Sequence, residues 1–300
     1  MATQYSGINL TRLPPPAIVE QIDFEVILAQ MLERLKELDP AFTALVETDP
    51  AYKILEVCAY REVLVRQRAN ESAKAVMLAF AEGADLDQIG ANVNVERLVV
   101  TPADPDAVPP VAAVMESDRD FRTRIQLSFD GYTTAGSSGS YIFHALSADG
   151  DVKNVSVLSP KPGDVDVYVL SRSDDGTASA ELMEKVNAKL NSEEIRPLTD
   201  HVTVRPAKII AYAVEAVLTM YPGPDAEVIK KAAVDALNEY LDSVHLIGYD
   251  VTLSGLHAAL HQPGVQNVKL IEPTADIVID ETQAPNCTDI NVSVAEKPDV

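Results

Sequence analysis

The sequence contains no tryptophan, and aromatic residues make up only 5% of it. Its cores must therefore be aliphatic, built from Val, Leu, Ile and Ala, with less anchoring area per side chain than aromatic cores. Cysteine is nearly absent as well. Cys58 and Cys287 sit in different halves of the chain, with no metal-ligand spacing around either. No disulfide framework is implied, and a reducing compartment fits. Cys58 falls on an apolar helical face and reads as a small buried hydrophobe. Long apolar runs are lacking too: no segment approaches the roughly 18 consecutive apolar residues of a membrane span. Met1 to Leu13 carries no basic-then-apolar targeting pattern. The chain is expected to stay in the cytoplasm where it is made, unless an assembly carries it out. Positive charge is in short supply, with 24 Lys and Arg against 46 Asp and Glu, a net charge of −22. Such a field repels nucleic-acid phosphates and anionic membranes, so neither is an expected partner. It favours solubility and cationic partners.

What is present is a 300-residue chain with an ordinary hydrophobic share of 47%, long enough for two or three domains. The expected fold class is α+β: a long-helix region over residues 1–100, a Pro-rich linker over 101–116, and two small α+β domains over 117–207 and 208–300. The first region opens with an arm ending in Pro14, Pro15 and Pro16. A helix follows, with Phe24, Ile27, Leu28, Met31, Leu32, Leu35 and Leu38 at the spacing of one face. Asp39-Pro40 ends it. Asp49 and Pro50 are a cap and a first helical residue for the next helix. Ile54, Val57, Cys58, Leu64 and Val65 continue an apolar face there. No breaker appears before Gly83, which predicts a helix about 50 Å long. One small domain cannot cover such a helix, so its stripe is expected to meet other long helices, including those of other chains.

Pro102, Pro105, Pro109 and Pro110 predict a stiff, extended spacer. Ser117 with Asp120 reads as a capping box, and Phe121, Ile125 and Phe129 continue that helix. The loop Gly136–Gly139 precedes a short helix near Tyr141–Ala148. Strands are predicted around Val152–Val157, Val165–Val169 and Val202–Val204, with a helix through Leu182, Met183, Val186 and Leu190 between the last two. The last domain begins with the alternation Ile210, Tyr212, Val214, Ala216, Leu218 and turns at Pro222–Asp225. Val228, Ala232, Leu237 and Leu241 mark one helix, and Leu253, Leu256 and Leu260 another. Strands near Val265–Ile271, Ile277–Ile279 and Ile290–Val294 complete it. Two faint echoes link the domains. His144-Ala145-Leu146 leading to Val152-Lys153-Asn154-Val155 resembles His257-Ala258-Ala259-Leu260 leading to Val265-Gln266-Asn267-Val268, and Ala180-Glu181-Leu182-Met183 resembles Ala226-Glu227-Val228-Ile229. Tandem related units and chance are both compatible with this.

A search for chemistry finds little. His257 and His261 share a helical face, the geometry of two metal ligands. Ala258 replaces the Glu that a metalloprotease needs, and two polar surface histidines are the simpler reading. The Gly136–Gly139 loop lacks a phosphate-binding ending and a nucleophile-elbow spacing. Ser140 and His144 can meet across a helical turn, but no nearby carboxylate orients the imidazole. The pairs Asp85 with Asp87 and Asp164 with Asp166 carry almost no information in so acidic a chain. Arg61, Arg66 and Arg68 interrupt an apolar helix. They can pair with acids of a partner helix or, within their own helix, with Glu56, Glu62 or Glu71. No catalytic, metal or cofactor site is expected.

Several strings carry a family resemblance. They are Gly83-Ala84-Asp85-Leu86-Asp87-Gln88-Ile89-Gly90 with Val95-Glu96-Arg97, then Asp120-Phe121-Arg122-Thr123-Arg124-Ile125, then Ala135-Gly136-Ser137 with Ser140-Tyr141 and His144-Ala145. Val167-Tyr168-Val169-Leu170-Ser171 follows, and Arg196-Pro197-Leu198-Thr199-Asp200 is the most specific. Over nearly the whole chain the sequence resembles the baseplate J-like family, in particular its P2-like branch in contractile-tailed phages and tailocins. The markers used are Asp85, Leu86, Arg97, Arg122, Arg124, Arg196, Pro197, Leu198 and Asp200.

The resemblance implies a structural wedge protein of a phage tail baseplate, and not an enzyme. Two copies and one tail protein I are expected to form a wedge. Their N-terminal helices would share a bundle through Phe24, Ile27, Leu28, Met31, Leu32, Leu35, Leu38, Ile54, Val57, Leu64 and Val65. Six wedges would surround the central spike and hub, beside a LysM-like sheath initiator. The protein would be assembled in the bacterial host cytoplasm and end in the virion tail. A cell-envelope hydrolase is the alternative; it needs a converging acid, base or metal cluster. A carbohydrate-binding module usually relies on exposed aromatics, and the absence of Trp speaks against one.

Overall fold

The computed structural model describes residues 8–42, 45–133, 135–222 and 225–295. The chain divides into two compact units, one within residues 7–96 and one within 97–300. Its class is α+β, with small sheets and a helical N-terminal unit.

In the first unit, α1 spans Phe24–Leu38, and the Asp23 side chain accepts from the Glu25 and Val26 N–H groups. α2 spans Pro50–Ala75, and Asp49 accepts from the Ala51 N–H. Proline at the first helical position loses no needed hydrogen bond. Ile27, Leu28 and Ala59 are buried where the two helices pack, joined by Phe24, Met31, Leu32, Tyr52, Leu55 and Val63. This corrects one expectation: the α1 stripe finds part of its cover on α2 of the same chain. The length of α2 is a second correction. It stops at Ala75 after 26 residues, about 39 Å, well short of Gly83. Beyond Ala75 the sequence Val76-Met77-Leu78-Ala79-Phe80-Ala81 has no polar side. A helix apolar all round must be buried all round. The chain turns instead, with the Phe80 and Ala81 N–H groups bonded to the Met77 carbonyl. Ala81 is buried, as is Leu86 in α3 (Gly83–Ala91).

The second unit opens with a correction to the linker. β1 (Val99–Thr101) pairs antiparallel with β2 (Val114–Met115), and Asp104 and Val111 exchange both backbone hydrogen bonds at 2.9 Å. The prolines stiffen the chain, but they leave the N–H groups of Asp104 and Val111 free to pair. The Asp104 carboxylate also accepts from the Asp106 and Ala107 N–H groups, turning the chain back.

α4 (Asp118–Gly131) starts at Ser117, whose hydroxyl accepts from the Asp120 N–H, and α5 (Ser138–Leu146) starts at Ser137 in the same way. β3 (Val152–Lys161), β4 (Asp164–Ser171), α6 (Ala180–Leu190) and β5 (His201–Pro206) follow. The sheet order is β3-β4-β5, antiparallel then parallel. Val165, Val167 and Val169 of β4 point into a core with Tyr141, Leu182, Val186 and Leu190.

β6 (Lys208–Met220) is the central strand of the second sheet, with α7 (Ala226–Val244), α8 (Leu253–Leu260), β7 (Val265–Glu272) and β8 (Gln283–Val294). The order is β7-β6-β8, antiparallel then parallel. The core face of α7 is Ile229, Ala233, Leu237 and Leu241, while Val228 and Ala232, expected on it, point outward. One position is about 100° on a helix, and in an Ala-rich stretch two neighbouring ladders look alike. The strand expected at Ile277–Ile279 is a single bridge between Val251 and Ile277. β8 begins at Gln283 rather than near Ile290, and carries Pro285, which an edge strand tolerates. Gly223 and Pro224 of the turn expected at Pro222–Asp225, and Met1–Gly7, lie outside the described residues.

Both sheets share one plan. A central strand, β4 or β6, is antiparallel to one neighbour and parallel to the other. The two sequence echoes fall on corresponding elements. α5 leads to the antiparallel edge β3 as α8 leads to β7, and α6 follows β4 as α7 follows β6.

Candidate interaction surface and bracing residues

α2 has two apolar faces. One, with Tyr52, Leu55, Ala59 and Val63, packs on α1. The opposite one carries Ile54, Val57 and Val65, each 64% exposed, with Leu64 and Tyr60 also exposed. Cys58 is exposed on this face as well, so the expectation of a buried thiol is corrected. It followed from treating the helix as if it had one covered side. α1 leaves Leu38 exposed. An open groove of about 360 Å3 between the helices is lined by Ile27, Met31, Leu35, Leu38 and Leu55, with Gln30, Arg34 and Glu62 at its rim.

The three arginines of α2 are placed differently. Arg66 pairs with Glu62 and reaches Glu20 at 3.2 Å. The Glu62 carboxylate holds its pKa above the ordinary value. Arg68 approaches Glu71 only at 3.9 Å. Arg61 is exposed and has no ion pair among the described residues.

The family markers brace the fold. Arg124 and Glu116 are both 4% exposed and form a two-point ion pair, Nε to Oε1 at 2.8 Å and Nη2 to Oε2 at 2.7 Å. Arg124 also donates to the Ser147 hydroxyl, and Glu116 accepts from the Leu98 N–H. Arg97 donates to the Glu116 carbonyl, pairs with Asp118 at 2.7 Å, and lies 4.7 Å from the centre of the buried Phe121 ring. A planar guanidinium suits both the fork and the stack. Arg122 is half-buried on the same helix. Asp85 is exposed, while Leu86 is fully buried. In the Arg196–Asp200 marker, Asp200 accepts from the buried Tyr141 hydroxyl at 2.8 Å. Burial and that carboxylate raise the Tyr141 pKa. Gly136, at φ +68°, sits so close to Pro197 and Asp200 that an added Cβ would lie 2.8 Å and 2.7 Å from them. Arg196 reaches Asn191 at 3.5 Å, and Leu198 stands fully exposed at the tip.

The candidate chemical residues are not brought together. His257 and His261 are both exposed, and no cluster of metal-ligating side chains occurs among the described residues. His144 Nε2 faces the Gly131 carbonyl at 3.2 Å rather than Ser140, and its burial lowers its pKa. A polar cleft of about 300 Å3 that the sequence did not announce is lined by Arg119, Asp120, Lys153, Arg172 and Asp242. Its charges are paired across it, Arg172 with Asp120 at 2.7 Å and Lys153 with Asp242 at 2.8 Å. These residues come from distant segments, so no local motif marks them. No helix among the described residues is long and apolar enough to cross a membrane.

Comparison with known proteins finds relatives over most of the chain. Family models described as the Baseplate J-like N-terminal domain, the Baseplate J-like central domain and the Baseplate J-like protein C-terminal domain match residues 47–104, 133–206 and 212–293. The curated relative "Baseplate protein J" of Escherichia phage P2 is 50% identical over 292 residues, covering 95% of this chain and 97% of its own length. Among solved structures, a chain of the cryo-EM structure of the anti-feeding prophage baseplate aligns with a TM-score of 0.37 and 16% identity. That alignment covers 62% of this chain and 44% of the other. By its three matched domains and its half-identical, near-full-length relative, the chain belongs to the baseplate J-like family.

Proposed function

We propose that this chain is a structural subunit of a contractile-tail baseplate, working by joining other chains rather than by catalysis. The observation that carries this reading is the uncovered apolar face of α2, in a chain half identical to a phage baseplate protein. Burying Ile54, Val57 and Val65 is worth roughly 1.5–3 kcal/mol each, less the cost of ordering the partner. A face of that kind on an otherwise strongly acidic molecule is an assembly surface.

In detail, two copies and one tail protein I build a wedge through their N-terminal helices. Six wedges close around the central spike and hub next to a LysM-like sheath initiator, and host contact rearranges the ring. The subunit is made and assembled in the host cytoplasm and ends in the tail. The same account serves an infectious phage and a headless tail-like particle. The α1 residues divide in this scheme. Ile27 and Leu28 hold the intramolecular pair, while Leu35 and Leu38 offer an open groove to another helix.

Co-expression with tail protein I tests the reading. The two chains are expected to co-elute as one complex, and Val57→Asp with Val65→Asp to abolish it. A stable monomer indifferent to tail protein I would count against the proposal.

A further inference from the structure

The outward face of α2 carries charge of a single sign inside its apolar stripe. At about 100° per residue, Ile54, Val57, Leu64, Val65 and Arg68 all lie within roughly 60° of Arg61. Arg61 is thus the centre of the exposed face, and no acid stands on it. It has no ion pair among the described residues, and Arg68 has only the distant Glu71.

The spacing is also symmetric about Arg61. Val57 and Val65 stand four residues to either side, and Ile54 and Arg68 seven. A second copy laid along the whole stripe, parallel or antiparallel, therefore sets Arg61 against Arg61. Two like charges pressed into an apolar seam repel one another and lose their water.

We infer that this face takes a helix of a different polypeptide, one that brings carboxylates opposite Arg61 and Arg68, and not the same face of a second copy. This rests on the structural role proposed above and specifies its partner. A guanidinium binds a carboxylate through two parallel hydrogen bonds, so the position of the acid is read as well as its sign. The chain as a whole, at a net charge of −22, repels acidic partners. The α2 face is the local exception that steers one into register.

Two synthetic amphipathic helices of the length of α2 provide the test. They share one apolar seam and carry Glu or Lys at the positions facing Arg61 and Arg68. Fluorescence anisotropy with the full chain is expected to show the Glu helix binding about tenfold tighter or more. The preference should reverse in the Arg61→Glu, Arg68→Glu variant, with unchanged circular dichroism confirming its fold. Binding that ignores the sign, no binding of either helix, or a dimer of the chain alone that Val57→Asp with Val65→Asp dissolves would each overturn the inference. Entry into baseplate particles separates it from the broader reading. If the double-Glu variant still enters while the double-Asp variant does not, the structural role stands and the acidic partner falls. If both enter, the assembly face itself is wrong.

Discussion

At the scale of single residues, the arginines of the family markers have the clearest energetic role. Arg124 and Glu116 are a buried pair in which each charge depends on the other. Removing one partner leaves the other stranded, so Arg124→Ala is expected to cost about 3–5 kcal/mol, read as a lowered midpoint in urea unfolding. Replacing both by apolar residues of similar volume should recover most of that loss; no recovery would show that the bonds to Ser147 and Leu98 dominate. Two half-buried histidines set an acid limit. Burial lowers the pKa of His144, and burial with the nearby Lys153 ammonium lowers that of His245, both from an ordinary 6.5. A histidine depressed in the folded state takes up its proton more readily when unfolded. Its contribution to stability is present above pH 6.5 and is lost as the pH falls towards the folded value. Melting temperature is therefore expected to drop between pH 7 and pH 5, about, and less steeply in His245→Gln. A flat profile would contradict this.

At the scale of elements, α2 is the informative case because its two faces make opposite demands. Ala59 is fully buried against α1, so Ala59→Leu overfills that contact and is expected to cost about 1–3 kcal/mol. Val57→Asp and Val65→Asp lie on the uncovered face and should leave the melting temperature of the free chain unchanged, while removing association. The sequence made the end of α1 and the start of α2 legible, because Asp39-Pro40 and Asp49-Pro50 act locally; the cap at Asp23 came only with the structure. It also made legible the valine ladder of β4, whose period of two is undisturbed. The end of α2 was not legible. No glycine or proline marks it: past Ala75 the run Val76–Ala81 has no polar side, and the chain turns at Met77, whose carbonyl accepts from the Phe80 and Ala81 N–H groups. The proline segment misled for a related reason. Stiffness can be read from composition, but the pairing of Asp104 with Val111 rests on a turn closed by the Asp104 carboxylate, which composition does not announce. The bracing role of Arg97 and Arg124 was equally hidden, since Glu116 gives no local sign that it will be buried.

At the scale of the whole molecule, the two compact units differ in how complete they are. The unit within 97–300 has large aliphatic cores around β4 and around β6, with a smaller cluster of Leu170, Ala207, Ile247 and Ala284. Expressed alone, it is expected to melt cooperatively; a molten, dye-binding product would contradict that. The unit within 7–96 has a small core between α1 and α2 and an uncovered face on α2. The central claim is that another chain covers this face in the assembled particle, and Cys58 lies on it as a built-in reporter. In a Cys287→Ser background, maleimide labelling of Cys58 can be compared between the free chain and intact baseplates. The thiol is expected to react readily in the free chain and to be protected in the particle. Equal labelling in both would contradict the account.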